Sequence, residues 1–391
     1  MKITVLGSTG SIGVSTLDVI SHTNSLHPGS FDIDTLIAGS NAEMLAKQAI
    51  AVNAKHAVVS DPGQYQTLQA NLAGTNISCA AGLDAVLDGA ARPVDRCMAA
   101  ISGTAGLRPT LAALEAGNTI LLANKETMVC AGPIILAKAK ALGVEIIPVD
   151  SEHNAIFQVL DQSNAVERMT LTASGGPFRT TPLKEMRAAT PAMALNHPNW
   201  SMGAKNSLDS ATMMNKGLEL IEAAYLFELP EDRIDVLIHP QSIIHSLVAY
   251  KDGSVLAQMG DPDMRTPISY ALGWPNRVET TVKRLDLAAL SRLDFEEPDT
   301  ERFPALEIAR AASREGPLGT CVYNAANEAA GLLFLDSKCG FLDIAKHVRL
   351  AMDWALDSTN PEMPPSITST DDVLHVTKRV SDHVSTSLLG L

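Results

Sequence analysis

The sequence predicts an α/β fold in three parts: a Rossmann-like N-terminal domain over 1–149, a central α+β domain over 150–278, and a C-terminal α-helical bundle over 304–391, with 279–303 as a linker. Three observations carry this prediction. Short apolar runs alternate with helix-length amphipathic stretches as far as Val149. The texture then changes to longer strand-like runs, a hairpin and two aperiodic loops. The final part holds four helical patterns. Alternating strands and helices imply a parallel sheet with right-handed crossovers, with ligands at the carboxyl ends of the strands.

Ile3–Leu6, Ile33–Ala38, Ala57–Val59, Met98–Ile101, Thr119–Leu122 and Glu145–Val149 are the expected buried strands. Val14–Ser21, Asn41–Ala51 and Leu107–Ala116 are expected helices between them. In the central part Val166–Ala173 and Asp235–Ile238 read as strands. Ile243–Tyr250 and Val255–Met259, joined by Lys251-Asp252-Gly253-Ser254, read as a hairpin. Ser174–Phe178 and His197–Gly203 lack periodicity and are rich in Gly, Pro, Asn and Ser, which marks them as loops for function rather than packing. A connector with three prolines runs from Trp274 to Pro304. Helices are then expected near Ala305–Arg314, Cys321–Leu335, Leu342–Leu356 and Asp371–Leu388.

Composition narrows the function. Apolar residues make up 46% and charged residues 19%, so the chain can bury cores. A net charge of −14 and only 4% aromatics argue against nucleic acid as a partner. No apolar run reaches the roughly 18 residues of a membrane span. The N-terminus runs straight into a strand and a glycine loop, unlike a signal peptide. The five cysteines are scattered and form no CxxC, the usage expected of a cytoplasmic protein without a cysteine zinc site.

Gly7-Ser8-Thr9-Gly10-Ser11-Ile12-Gly13 follows the first strand and opens a helix. The spacing is GxxGxxG rather than GxGxxG, but the context fits a dinucleotide: glycines let the backbone approach a pyrophosphate, and the helix N-terminus offers free N–H groups and a positive dipole end. At the end of the second strand Gly39-Ser40-Asn41 brings no acid to hold a ribose 2′-hydroxyl. These small polar groups suit a 2′-phosphate, hence NADP. Ser40 or Asn41 also suits a helix N-cap, and both readings hold together.

Asp150-Ser151-Glu152-His153-Asn154 ends the last apolar strand of the first domain. Two carboxylates at a strand end can converge on a hard cation such as Mg²⁺ or Mn²⁺, or Asp150 or Ser151 can merely cap a helix beginning near Asn154; these residues alone leave both readings open. The segment from Asp209 to Glu219 adds a third acid. Ser210, Asn215 and Lys216 suit a substrate phosphate or hydroxyls and Glu219 could complete the metal site, or the segment is an ordinary helix with Asp209 or Ser210 as its cap; Met213, Met214 and Leu218 read as core in either case.

Together these segments resemble the 1-deoxy-D-xylulose 5-phosphate reductoisomerase family of the non-mevalonate isoprenoid pathway. The matching stretches are Gly7–Gly13, Leu121–Glu126, Pro148–Phe157, Ser174–Phe178, His197–Gly203, Asp209–Glu222, Ile238–Ser246, Asp263–Pro267 and Asn324–Glu328, in order along nearly the whole chain. The resemblance implies an NADPH- and divalent-metal-dependent homodimer that converts 1-deoxy-D-xylulose 5-phosphate to 2-C-methyl-D-erythritol 4-phosphate. It implies metal ligands at Asp150, Glu152 and Glu219, and substrate contacts at Lys125, Ser151 and Glu152. Phosphate contacts fall on Ser174, Ser210, Asn215 and Lys216, with His197 beside them and Trp200 on a flap around His197–Gly203. NADPH contacts fall on Thr9, Gly10, Ser11, Ile12, Gly39, Ser40, Asn41, Asn124, Glu126 and Gly203. Lys125 and Glu152 are the acid–base candidates. His153 is a weaker one, His239 reads as structural, and His245 matches a position beside the active site. Three departures from the family pattern stand out: Ser40 replaces a frequent basic residue, Asn206 a β-branched one, and Asn118 a lysine expected at the surface.

Two other functions fit part of this pattern. A plain NADP-dependent dehydrogenase needs the glycine loop but not three metal carboxylates. A catalytically silent NADP-binding regulator would have lost at least one of Asp150, Glu152, Glu219, Lys125 or Lys216, and all five are present.

Overall fold

The structure, a computed structural model, describes residues 1–161, 165–200 and 202–389. Two compact units organise it. The first comprises Met1–Thr127, Ile135–Asn154 and Asp263–Lys283; the second comprises Met128–Ile134, Ala155–Pro262 and Arg284–Leu391.

The first unit is built on seven parallel strands: β1 (Lys2–Leu6), β2 (Asp32–Ala38), β3 (His56–Val59), β4 (Ser78–Ala81), β5 (Arg96–Ala99), β6 (Thr119–Leu122) and β7 (Ile146–Pro148). Their order is β4-β3-β2-β1-β5-β6-β7. The chain order reverses at β1, the switch point at which doubly wound sheets bind ligands. β4 is an addition to the strands expected from sequence. Its sequence, Ser-Cys-Ala-Ala, offers no bulky apolar run, and it lies at the sheet edge, half-buried. The first helix spans Ser11–Leu26, longer at both ends than expected, because Gly10 takes the N-cap position and Ser11-Ile12-Gly13 form its first turn.

Within this unit the helix Arg265–Gly273 packs against Ser11–Leu26, and Arg265 bridges Asp18 (3.0 Å) and Asp263 (2.7 Å). The Arg96 guanidinium donates to the carbonyls of Ala271 and Leu272, both at 2.5 Å, and to that of Trp274. It thus satisfies carbonyls at the helix C-terminus. Asn118, expected at the surface, is instead 1% exposed. Its side chain accepts from Val94 N–H (3.0 Å) and donates to the carbonyls of Arg92 (3.0 Å) and Ala90 (3.3 Å). An amide can bond in both directions across a buried turn, as an ammonium cannot.

The second unit holds a four-stranded sheet of β8 (Val166–Ala173), β9 (Ile234–Ile238), β10 (Ile244–Tyr250) and β11 (Val255–Met259), ordered β11-β10-β8-β9. β8 and β9 are parallel; β8–β10 and β10–β11 are antiparallel. Four helices follow at Ala305–Arg314, Gly316–Leu335, Phe341–Ala355 and Thr370–Leu389, close to the expected spans.

One close approach matters for the site. Helix Met214–Leu226 meets helix Gly316–Leu335 at Gly217, where a Cβ would lie 2.1 Å from Tyr323 Oη and 2.9 Å from Ala309 Cβ. Tyr323 is fully buried and its hydroxyl reaches the Met214 carbonyl at 3.3 Å. Overpacking of this kind costs about 1–3 kcal/mol. Gly217→Ala is therefore expected to lower the denaturation midpoint correspondingly. A midpoint equal to that of the unmodified protein would mean that this helix contact is looser than the geometry states.

Candidate active site

In the first unit the candidate residues gather at the carboxyl ends of β1, β2, β6 and β7. Gly7, at φ +84°, lies so close to β5 that a Cβ would meet the Ala100 carbonyl at 2.5 Å. A Cβ on Gly13 would meet the Gly7 carbonyl at 2.4 Å. Both positions therefore require glycine, and the loop Thr9-Gly10-Ser11-Ile12 is held against the strand ends with first-turn N–H groups at the helix N-terminus. After β2, Asn41 caps the helix Ala42–Ala51 by accepting from Met44 N–H at 3.1 Å. Gly39, Ser40 and Asn41 are exposed beyond the strand end, so the cap and an open polar surface coexist.

After β6, Asn124 caps the helix Lys125–Leu142 through the N–H of Thr127 (2.5 Å). Its Nδ2 donates to the carbonyls of Ile101 and, at 2.9 Å, Gly103. One buried amide thus ties the β5 loop to the β6 loop. Glu126 follows, 5% exposed.

Lys125 Nζ lies 2.5 Å from Asp150 Oδ1 at the end of β7. His153 Nδ1 approaches Asp150 Oδ2 at 3.3 Å, and His153 is fully buried. Burial alone would raise the Asp150 carboxyl, but the ammonium of Lys125 and then the His153 ring hold it well below the usual carboxylate range. Its carboxylate faces Lys125 and His153. The helix there spans Ser151–Val159, beginning three residues before the expected Asn154, with the Asp150 carbonyl accepting from Asn154 N–H at 2.8 Å. Ser151 Oγ donates to Glu152 Oε2 at 2.6 Å.

In the second unit β8 leads into Ser174. Gly175 (φ +84°) and Gly176 (φ +67°) turn the loop, and a Cβ on Gly176 would lie 2.7 Å from the Ser210 carbonyl. The loop therefore sits against the backbone of Ser210. Asp209 and Ser210 lie inside the helix Ala204–Thr212 rather than capping it. Met213, at φ +63°, turns the chain directly into the helix Met214–Leu226. Met213, Met214 and Leu218 are core, as expected. Lys216 donates to the Thr172 carbonyl at 2.6 Å and pairs with Glu219, which also accepts from Asn215 Nδ2. Lys216 is 4% exposed and Glu219 is 1% exposed. Asp209 accepts from Asn327 Nδ2 at 2.8 Å and pairs with Lys205 at 2.7 Å.

Ser174 Oγ meets His197 Nε2 at 3.0 Å. His197 Nδ1 accepts the backbone N–H groups of Asn199 (3.1 Å) and Trp200 (2.9 Å). Two donors on Nδ1 make that nitrogen the acceptor, so the neutral ring carries its proton on Nε2, toward Ser174. Trp200 faces His245 with ring centroids 6.3 Å apart. Gly203 precedes the helix Ala204–Thr212 as its N-cap, while Ser201 lies outside the described residues. Sequence reasoning missed the Thr172 carbonyl, the left-handed Met213 and the Asn124 tie. The Gly175-Gly176 pair was the one local signal of a tight loop.

Three family descriptions match the chain: "1-deoxy-D-xylulose 5-phosphate reductoisomerase" over residues 3–132, its C-terminal domain over 146–227, and "DXP reductoisomerase C-terminal domain" over 259–382. The chain is 58% identical to the 1-deoxy-D-xylulose 5-phosphate reductoisomerase of Caulobacter vibrioides over 346 residues, covering 88% of this chain and 86% of the relative. It is 52% identical to that of Zymomonas mobilis over 367 residues, covering 93% and 92%. Among solved structures, the Zymomonas mobilis enzyme in complex with NADPH superposes with a TM-score of 0.91 at 47% identity, covering 100% of this chain and 99% of that one. A DOX-P reductoisomerase in complex with NADPH, fosmidomycin and magnesium gives 0.93 at 41% identity, covering 99% and 98%.

Burial lowers the His197 pKa below its ordinary 6.5. A histidine with a depressed folded pKa contributes stability that is complete above 6.5 and is lost as pH falls toward the folded value. Nitrogen NMR of labelled protein is expected to show His197 neutral at pH 7, protonated on Nε2, and titrating below 6.5. A proton on Nδ1 would contradict the Asn199 and Trp200 contacts.

Proposed function

The chain belongs to the 1-deoxy-D-xylulose 5-phosphate reductoisomerase family, and from that premise we propose how its residues divide the work. It is an NADPH- and divalent-metal-dependent oxidoreductase that rearranges and reduces 1-deoxy-D-xylulose 5-phosphate to 2-C-methyl-D-erythritol 4-phosphate, a step toward isoprenoid precursors. The observation that carries the residue assignment is the 2.5 Å contact of Lys125 with Asp150 at the carboxyl ends of neighbouring strands.

Asp150, Glu152 and Glu219 are the proposed ligands of the cation, and an all-oxygen donor set suits Mg²⁺ or Mn²⁺. The residues fit that role: Asp150 and Glu219 each already hold a positive group, the ammoniums of Lys125 and Lys216. When bound, the cation supplies Lewis-acid polarisation of the substrate oxygens. NADPH supplies the hydride for the final reduction. Its proposed contacts are Thr9, Gly10, Ser11, Ile12, Gly39, Ser40, Asn41, Asn124, Glu126 and Gly203.

Glu152, oriented by the Ser151 hydroxyl, takes the proton of a substrate hydroxyl as the carbon skeleton rearranges. Lys125 donates to the oxygen on which negative charge develops. Lys125, Ser151, Glu152 and Glu219 contact the substrate backbone. Ser174, Ser210, Asn215 and Lys216 bind its phosphate, with His197 beside them. Trp200 covers the substrate and excludes water.

The segment 150–278 is proposed as the catalytic and dimerising part, although its ends, up to Asn154 and from Asp263, pack with the first unit; 279–303 is proposed as its linker and 304–391 as the helical support. Exposed Val255 (56%), Leu256 (45%) and Met259 (36%) on the edge strand β11 support a homodimer in which a second copy covers that edge. The cytoplasm suits five scattered cysteines that form no CxxC. Among the described residues no helix is long and apolar enough to cross a membrane.

NADPH absorbance is expected to fall on mixing with substrate and Mg²⁺ or Mn²⁺, and to stay constant with excess chelator; metal-independent oxidation would favour a plain dehydrogenase. Losing a charge-assisted phosphate contact costs roughly tenfold to a hundredfold. Lys216→Ala is expected to raise the substrate KM by that factor, and Trp200→Ala to lower kcat as well. Normal kinetics in both variants would refute the assignment. Leu256→Lys is expected to shift the sedimentation coefficient toward that of a monomer, and an unchanged value would remove β11 from the interface.

A further inference from the structure

Asn199 bonds in two directions at the base of the Trp200 turn. Its backbone N–H donates to His197 Nδ1, while its Nδ2 donates to the Pro240 carbonyl at 2.7 Å and to Ser242 Oγ at 2.9 Å. Both acceptors belong to the turn between β9 and β10. Ser242 stands there at φ +53°, a conformation that a serine holds only when its surroundings impose it.

That turn is fixed from several sides. His239 N–H donates to the Ala173 carbonyl at 2.6 Å. His239 Nε2 accepts from Ile243 N–H at 3.1 Å, so Nδ1 carries the proton and donates to the Asp294 carbonyl at 2.8 Å. The ring also stacks on Phe295, with centroids 4.7 Å apart. Ala173 immediately precedes Ser174, whose hydroxyl meets His197. The contacts therefore close a circuit: Ser174 to His197, His197 to Asn199, Asn199 to the Pro240–Ser242 turn, and that turn through His239 back to Ala173.

We infer that Asn199 is a positioning residue for the reaction: it holds Trp200 in register with the phosphate loop by anchoring the Trp200 turn to Pro240 and Ser242. An asparagine amide carries two hydrogens, and two acceptors meet it. An aspartate of the same shape would set an oxygen against the Pro240 carbonyl oxygen, and only the Ser242 hydroxyl could turn to donate to it. The inference rests on the reading that Trp200 covers the substrate.

The test uses the full-length enzyme with NADPH, Mg²⁺ and 1-deoxy-D-xylulose 5-phosphate. Two lost hydrogen bonds correspond to roughly tenfold. Asn199→Ala and Asn199→Asp are both expected to lower kcat/KM for the sugar phosphate about that much, with the KM for NADPH unchanged. Amide hydrogen exchange in the apo enzyme is expected to quicken at Asn199 and Trp200. Ser242→Ala acts from the acceptor side and is expected to give a smaller loss that is not additive with Asn199→Ala. Trp200→Ala is measured in parallel. If Asn199→Asp keeps normal kinetics and exchange while Trp200→Ala is impaired, the anchor is refuted and the lid reading stands. If Trp200→Ala is also normal, the lid reading falls and the anchor with it.

Discussion

A carboxylate withdrawn from water must be met by positive charge and hydrogen bonds, and that constraint governs the candidate residues in each unit. Glu219 lies on a buried helix face where an unpaired charge would cost several kcal/mol. Lys216, one turn earlier, and Asn215 engage its two oxygens. Lys216 is in turn fixed by the Thr172 carbonyl at the end of β8. Lys125 does the same for Asp150, with His153 closing the other side. Pairing of this kind is weak evidence for stability, since an apolar substitute often does as well. The proposed ligand role explains it better: a carboxylate placed to accept a lysine ammonium is placed to accept a metal ion or a charged substrate group.

The first unit shows how far a parallel sheet alone can organise chemistry. Every strand delivers its following loop to the same edge. Loops after β1, β2, β6 and β7 therefore meet there, although they are up to about 140 residues apart in sequence. The close approaches at Gly7 and Gly13 bring the first loop tight against the strands, and Asn124 links the loops after β5 and β6. The proposed cofactor contacts on several loops then share one rigid support.

This local logic is why so much was legible in the sequence. The glycine loop, the acids closing β7 and the Ser210–Glu219 cluster are each read from neighbours within one turn or one loop. The hairpin Ile244–Met259 and the C-terminal helices follow from periodicity. What was not legible depends on distant partners or on missing bulk. Asn118 reads as a surface residue because its three partners lie 24 to 28 residues back in an irregular segment. β4 has no bulky side chains to announce it. Asn199 looks like any polar loop residue until the turn 41 residues later is folded beside it.

The C-terminal helices look dispensable to chemistry, yet their packing sets the geometry of the proposed phosphate residues. Helices Ala204–Thr212 and Met214–Leu226 are joined by one left-handed residue, Met213, and such a joint tolerates little adjustment. Helix Gly316–Leu335 touches both: Asn327 bonds Asp209 on the first, and Tyr323 packs on Gly217 and reaches the Met214 carbonyl on the second. With both helices held from behind, Ser210 before the joint and Asn215 and Lys216 after it keep a fixed spacing. A phosphate needs several donors at once, and donors already fixed give up little entropy on binding. Tyr323 and Asn327 are therefore supports of the proposed phosphate site from the helix behind it.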